Sequence, residues 1–161
     1  MSQRIVGCLK ERLGDKVLST HSHRGDDTVL VTRAAILEVA QLLHDDPALL
    51  LDLPTDLTAV DFLGREPRFE VVYHFYSTTH KHRVRIKCPV PEEDPTIASL
   101  YTVFPGTRWF ERETFDMYGI KFVGHPDLRR MFMYDEFVGH PLRKDYPKER
   151  RQPLIRRDGA S

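Results

Sequence analysis

The sequence predicts an α+β fold, in which a small mixed or antiparallel sheet packs against helices on one side and an extended C-terminal arm reaches outward. Three observations lead there. Two strand-like runs, Arg68 to Tyr76 and His82 to Val90, are joined only by Ser77-Thr78-Thr79-His80-Lys81, short enough for a hairpin and hence antiparallel pairing. From Arg33 to His44 the apolar residues Ile36, Val39, Ala40 and Leu43 recur at helical spacing. Beyond Gly119 the chain carries Gly124, Pro126, Gly139, Pro141, Pro147 and Pro153 without a sustained period, the signature of an arm rather than a core.

In chain order, Ile5, Leu9 and Leu13 lie four apart and predict a short amphipathic helix from Arg4 to Leu13, stopped by Gly14. Val17 to His23 reads as a strand, Gly25-Asp26-Asp27 as a turn and Thr28 to Val31 as a second strand. Thr32 is placed to cap the helix that follows, and Asp45-Asp46-Pro47 closes it. Asp45 to Asp61 holds five aspartates and no Lys or Arg, with Leu49, Leu51, Leu53, Leu57 and Val60 partly alternating, so an acidic, half-buried strand interrupted at Pro54 is expected. Pro89, Pro91 and Pro95 end the hairpin region. Thr96 to Val103 and Arg108 to Tyr118 then read as two short helices, the second capped by Thr107 and ended by Gly119. The expected organisation is a helix and lead-in strand over 1–28, an α+β core over 29–122 and an extended basic arm over 123–161. Between His140 and Asp158 seven Lys or Arg face three carboxylates.

A chain of 161 residues, 40% hydrophobic, fits one core. Lys plus Arg and Asp plus Glu both total 24, so no global charge argues for nucleic acid or anionic lipid. The apolar run Ala48 to Leu51 falls far short of the ~20 residues of a membrane span, and the N-terminus has no apolar signal core, so the chain is expected in the cytosol or peripheral on its side. Cys8 and Cys88, the only cysteines, suit a reducing compartment and are too few for a self-contained four-cysteine iron-sulfur site. With no Gly-x-Gly and no Gly-Lys-Ser/Thr, nucleotide and flavin sites on this chain are not expected.

Two constellations raise other chemistry. His21-x-His23 and His80-x-His82 each put two imidazoles on one strand face, and Glu111, Glu113, Asp116 and His125 cluster further on, a composition that zinc accepts. The simpler reading places His80 and His82 beside an exposed turn and the carboxylates on a solvated helix face. Glu113 and Asp116, three apart, share a helical face as a hydrolytic carboxylate pair does, but Arg112 lies four before Asp116 and is expected to pair with it and keep it ionised. A structural ion-pair network is the better reading.

The run Trp109-Phe110-Glu111-Arg112-Glu113-Thr114-Phe115-Asp116-Met117-Tyr118-Gly119-Ile120-Lys121-Phe122 sets aromatics densely around three carboxylates and an arginine. It is followed by Gly124-His125-Pro126-Asp127-Leu128-Arg129-Arg130-Met131 and by Gly139-His140-Pro141-Leu142-Arg143-Lys144-Asp145-Tyr146-Pro147. These three blocks in order resemble the signature region of the C subunit of respiratory complex I, the NADH:quinone oxidoreductase. The resemblance spans about Phe104 to Pro147 at motif level. It implies a scaffold subunit of the peripheral arm, with no catalytic, cofactor-binding or metal-binding residue of its own. Electrons would pass from NADH through partner-held FMN and iron-sulfur clusters to quinone, coupled to proton translocation, on the cytoplasmic side of the inner cell membrane. The implied partners are the D subunit first, then the B and I subunits. Because the chain ends at Ser161, the D subunit is expected as a separate polypeptide.

Trp109, Glu111, Arg112, Glu113, Asp116, Tyr118, His125, Arg129, His140, Arg143, Lys144 and Tyr146 are the expected interface and signature residues. Arg143 and Lys144 are expected to seek carboxylates on the neighbour, so that Arg143→Ala weakens assembly and leaves the isolated domain's thermal stability nearly unchanged. Two further readings stand beside this one. The first is the equivalent subunit of a membrane-bound hydrogenase or of a ferredoxin- or deazaflavin-linked complex. The second is a stand-alone zinc or carboxylate hydrolase using His80, His82 or Glu113.

Overall fold

The computed structural model describes residues 2–149 and Gln152; the rest of the expected arm lies outside the described residues. Helix α1, Ser2–Leu13, buries Ile5, Leu9 and Leu13, the four-apart stripe. Strands β1, Val17–His23, and β2, Asp26–Val31, follow as a hairpin turning at Arg24 and Gly25, both left-handed, so Asp26 already pairs with His23 instead of lying in the turn. Thr32 is extended and makes no side-chain cap; its carbonyl accepts the Ala35 N–H, and a 3-10 turn at Arg33–Ala35 leads into helix α2, Ile36–Asp45. Ile36, Val39, Ala40 and Leu43 are the buried stripe of α2, as their spacing requires.

Strands β3, Leu53–Asp61, β4, Phe69–Tyr76, and β5, Arg83–Val90, complete a five-stranded sheet ordered β1-β2-β5-β4-β3. Within this sheet, only the β2–β5 pair is parallel. β3 forms an edge, where Pro54 is tolerated, and its register shifts between Pro54 and Asp56. Along β5, Val84, Ile86, Cys88 and Val90 are buried while Arg83, Arg85, Lys87 and Pro89 point away, the alternation that fixes which face packs. Residues of α1, α2 and strands β2 to β5 share one hydrophobic core with Leu100, Phe104, Ile120 and Phe122, and Val17 of β1 packs against it.

The segment 96–103 is not a helix. Thr96–Ala98 forms strand β6, parallel to β7, Lys121–Val123, and a turn closes through the Phe104 N–H to the Leu100 carbonyl. The β-branched Thr96 and Ile97 find a strand partner that lies distant in sequence, and that pairing overrides local spacing. Helix α3, Thr107–Tyr118, spans the gap between them. Gly106, not Thr107, precedes it; the Thr107 hydroxyl instead donates to the Phe104 carbonyl at 2.9 Å. Gly119 ends it at φ 77°, as expected. Residues 124–149 hold no helix or strand and run along α3 and the near end of the sheet rather than away from them.

Candidate functional site

The three sequence blocks meet where α3 and the irregular segment lie side by side. The centre is Asp116, whose side chain is fully buried. Its Oδ2 accepts the consecutive N–H groups of Met131, Phe132 and Met133 at 3.0, 2.8 and 2.9 Å, and its Oδ1 takes Arg130 Nη1 at 2.8 Å. Burial alone would push this carboxyl up, but the three backbone donors and Arg130 together outweigh it and hold it below the usual carboxylate range. Arg112 is therefore not its partner: the Arg112 guanidinium donates to the carbonyls of Arg129 and Arg130 at 3.2 and 3.0 Å and lies against the Trp109 ring, 5.2 Å from its centroid.

The last carbonyls of α3 have no partner within the helix, and the segment supplies it. His140 Nδ1 meets the Asp116 carbonyl at 2.9 Å, the Leu142 N–H donates to Met117 at 3.1 Å, and Arg143 Nε donates to Tyr118 at 2.6 Å. Burial lowers the His140 pKa, and nearby Arg143 and Arg130 add to that, which favours the neutral ring with Nδ1 as donor. Gly119 is obligatory at this junction, because a Cβ there would lie 2.5 Å from His140 Nε2 and 2.7 Å from Arg143 Nη2.

A second buried clasp ties the same segment to the sheet. Arg68, 3% exposed, donates to Asp61 through Nε and Nη2 at 2.9 and 2.8 Å, to Glu92 at 2.5 Å and to Asp145 at 2.7 Å. The Lys144 N–H also donates to Asp61 at 2.7 Å. The Arg68 hydrogen bonds, chiefly, depress the pKa of Asp61, and they do the same for Asp145. Asp61 and Arg68 were missed by sequence reasoning; the available signal was Asp61 standing at an inward position of the alternating strand.

Arg143, expected to seek a neighbour's carboxylate, is engaged within the domain: besides Tyr118 it lies over the Phe69 ring at 5.1 Å, half-buried. With these contacts in the domain, its truncation is expected to cost stability in the isolated chain as well. Tyr118 is half-buried, and burial raises its pKa. Tyr146 stacks on Phe137 at 5.9 Å. His125 Nδ1 accepts the Asp127 N–H at 3.0 Å, leaving Nε2 to donate to the Arg108 carbonyl at 3.1 Å; Arg129 is exposed and pairs with Asp127.

Glu111 faces the core. It accepts Ser99 Oγ at 2.6 Å, the Leu100 N–H at 2.7 Å and Thr107 Oγ1 at 3.2 Å, and no cation bonds to it among the described residues, so burial raises its pKa above the usual range despite these donors. Glu111 and Asp116 thus serve different neighbours, and Glu113 is exposed. His80 and His82 place Nε2 against the carbonyls of Pro47 and Leu49 at 3.0 and 2.7 Å, while His21 and His23 sit exposed on the edge strand β1. Among the described residues no three His, Cys, Asp or Glu side chains gather to hold a metal. Asp116, ionised and saturated by donors, is unsuited to the acid of a hydrolytic pair.

Among the charged side chains that this frame exposes, such as Glu113 and Arg129, it also presents large apolar ones: Trp109 on α3 is 56% exposed, and Phe132, Val138 and Leu142 on the irregular segment are at least half exposed. No described helix is long and apolar enough to cross a membrane.

Residues 29–152 match the family of the 30 kDa subunit of respiratory-chain NADH dehydrogenase. The chain is similar to the C subunit of NADH-quinone oxidoreductase from Citrifermentans bemidjiense, 48% identical over 91% of this chain and 89% of that one. It is also 48% identical to the Roseiflexus sp. protein of that name over 89% and 82%, and 45% identical to the Geobacter sulfurreducens one over 91% and 90%. Among solved structures it resembles the trypsin-resistant fragment of Nqo5, with a TM-score of 0.66 and 28% identity over 78% of this chain and 99% of that one. A chain of the membrane-bound sulfane sulfur reductase, an archaeal respiratory membrane complex, shares the fold at TM-score 0.78 and 20% identity over 92% and 86%.

Proposed function

Because the chain belongs to the family of the 30 kDa subunit of respiratory-chain NADH dehydrogenase, we propose that it is the scaffolding C subunit of a proton-translocating NADH:quinone oxidoreductase. The observation that carries the reading is the α3 face: two buried polar clasps, on Asp116 and Arg68, tie a segment without helix or strand to α3 and the sheet, and Trp109 of α3 and Phe132 of that segment stay exposed. Clasps of this kind fix geometry at a cost in hydrophobic burial, which suits a surface that must be preorganised for a partner. A large exposed Trp flanked by Arg108 and Arg112 is the composition of an interface hot spot.

On this reading the chain works with other subunits of the complex. The D subunit is the main partner of the α3 face, with the B and I subunits nearby, and FMN and the iron-sulfur clusters are held by partners. The chain attaches peripherally on the cytoplasmic side. The 45–48% identical relatives support the NADH-quinone enzyme over a hydrogenase-type or ferredoxin-linked assembly, for which the 20% identical neighbour speaks to fold alone. The test is Trp109→Ser in the full chain. Its urea midpoint stays within experimental error of the parent, while its recovery in the assembled complex falls; unchanged recovery removes the α3 face from the interface.

A further inference from the structure

The opposite end of the sheet carries a second surface with its own chemistry. Because β2 and β5 run parallel and each begins directly after its hairpin turn, both hairpin tips lie at one end. The ladder between these strands starts only at Thr28 and Arg85, so the tips before it are not joined by that ladder. Between them lies a cleft of about 290 Å³ lined by Arg24, Lys81, His82 and Arg83, with Asp26 and Tyr76. A hollow of about 250 Å³ shares Asp26, Tyr76 and Arg83 with it and adds Arg85 and His74.

Four cations, Arg24, Lys81, Arg83 and Arg85, thus face two carboxylates, Asp26 and the buried Asp27, on a chain whose net charge is zero. Arg83 is engaged by Asp26 at 2.5 Å. Arg85, half-buried, bonds only to the neutral Thr28 hydroxyl at 3.2 Å, and the Arg24 and Lys81 side chains enter no ion pair among the described residues. Arg24 and Lys81 stand at φ 54° and 55°, so tight turns hold both tips. Burial, and then the Arg85 charge, lower the His74 pKa, so the positive charge of the site comes from its Arg and Lys side chains.

We propose that this cleft docks an acidic segment of a neighbouring subunit, with carboxylates received by Arg24 and Lys81 at the rim and by Arg85 within. A concave, cationic site favours protein carboxylates over a membrane surface, since neither tip, 23–26 nor 77–82, exposes a large apolar side chain that could insert. The arm grips the sheet where β4 begins, at Phe69, and the tips lie where it ends, at Tyr76; at about 3.4 Å per residue these ends are ~24 Å apart. The scaffold thereby bridges two neighbours from opposite ends. This inference rests on the reading of the chain as a member of a larger complex.

The test replaces the native subunit with the full chain carrying Arg24→Glu and Lys81→Glu, or Arg24→Gln and Lys81→Gln, and follows recovery of the purified complex across a salt series. Both positions are exposed, so the urea midpoint of the free chain is unchanged. Charge reversal lowers association about tenfold or more and neutralisation lowers it less, while the parent complex weakens as salt rises. Recovery of the reversed variant equal to the parent at every salt concentration overturns the proposal. So does binding of the parent chain to phosphatidylserine vesicles that the same substitutions abolish, which assigns the cleft to lipid. If the reversed variant shifts the urea midpoint, the glutamine pair decides by the same criterion. Failure of the parent chain to assemble with any oxidoreductase subunit overturns the scaffold reading and this proposal with it.

Discussion

Asp116→Asn probes the clasp at the centre of the α3 face. The substitution removes the charge facing Arg130 and leaves one amide oxygen where a carboxylate accepts three consecutive backbone N–H groups. Hydrogen bonds to a charged group contribute about 1.5–3 kcal/mol each in net terms, and they are not additive when they share one acceptor. Asparagine's oxygen keeps part of the N–H set, and Arg130 is partly solvated, so a loss of about 3 kcal/mol is expected. With a urea m-value of about 2 kcal/mol/M, the midpoint of the full chain falls by about 1.5 M. Limited proteolysis should then cut near 129–139 in the variant under conditions that leave the parent whole. A loss below about 0.5 kcal/mol with unchanged proteolysis would show that the segment is held by other contacts and refute the reasoning.

Arg68→Met leaves Asp61 buried beside the Lys144 N–H alone and should cost about 3–5 kcal/mol, whereas the double variant with Asp61→Leu recovers much of it; a double-mutant cycle by urea unfolding measures the coupling. Gly119→Ala forces a Cβ onto His140 and Arg143 at a left-handed φ and should cost about 2 kcal/mol or more, read as a thermal midpoint shift; a neutral result contradicts the close approach. For pH, Asp61 and Asp116 have depressed folded-state pKa values, so their contribution is present above the ordinary carboxylate range and is lost as pH falls through the depressed values. Glu111 has the opposite sign. Its raised value means stability declines as pH climbs above the ordinary range, so Glu111→Gln should flatten the neutral side of the stability–pH curve and leave the acid side, set by Asp61 and Asp116, in place.

The elements written in local periodicity were legible: the stripe of Ile36, Val39, Ala40 and Leu43, the hairpin of β4 and β5, and the glycine end of α3. The failures share a cause in sequence separation. Thr96–Ala98 becomes a strand because Lys121–Val123 arrives beside it. Asp116 takes Arg130 and three distant N–H groups in place of the nearby Arg112, because those donors satisfy a buried carboxylate more fully than one side chain four residues away. The Asp61–Arg68 clasp was hidden for a related reason: nothing in composition says that Asp145 will arrive to share the guanidinium. The motif blocks come together in the fold, and only the fold divides their charges between the core-facing Glu111, the clasping Asp116 and the exposed Glu113.

The most direct test is affinity purification of the tagged full chain from gently solubilised native membranes, followed by mass spectrometry and an NADH:quinone assay on the eluate. The account predicts co-recovery of flavin- and iron-sulfur-bearing subunits with NADH:quinone activity. Elution of the chain alone, carrying stoichiometric metal and hydrolytic activity, would contradict it.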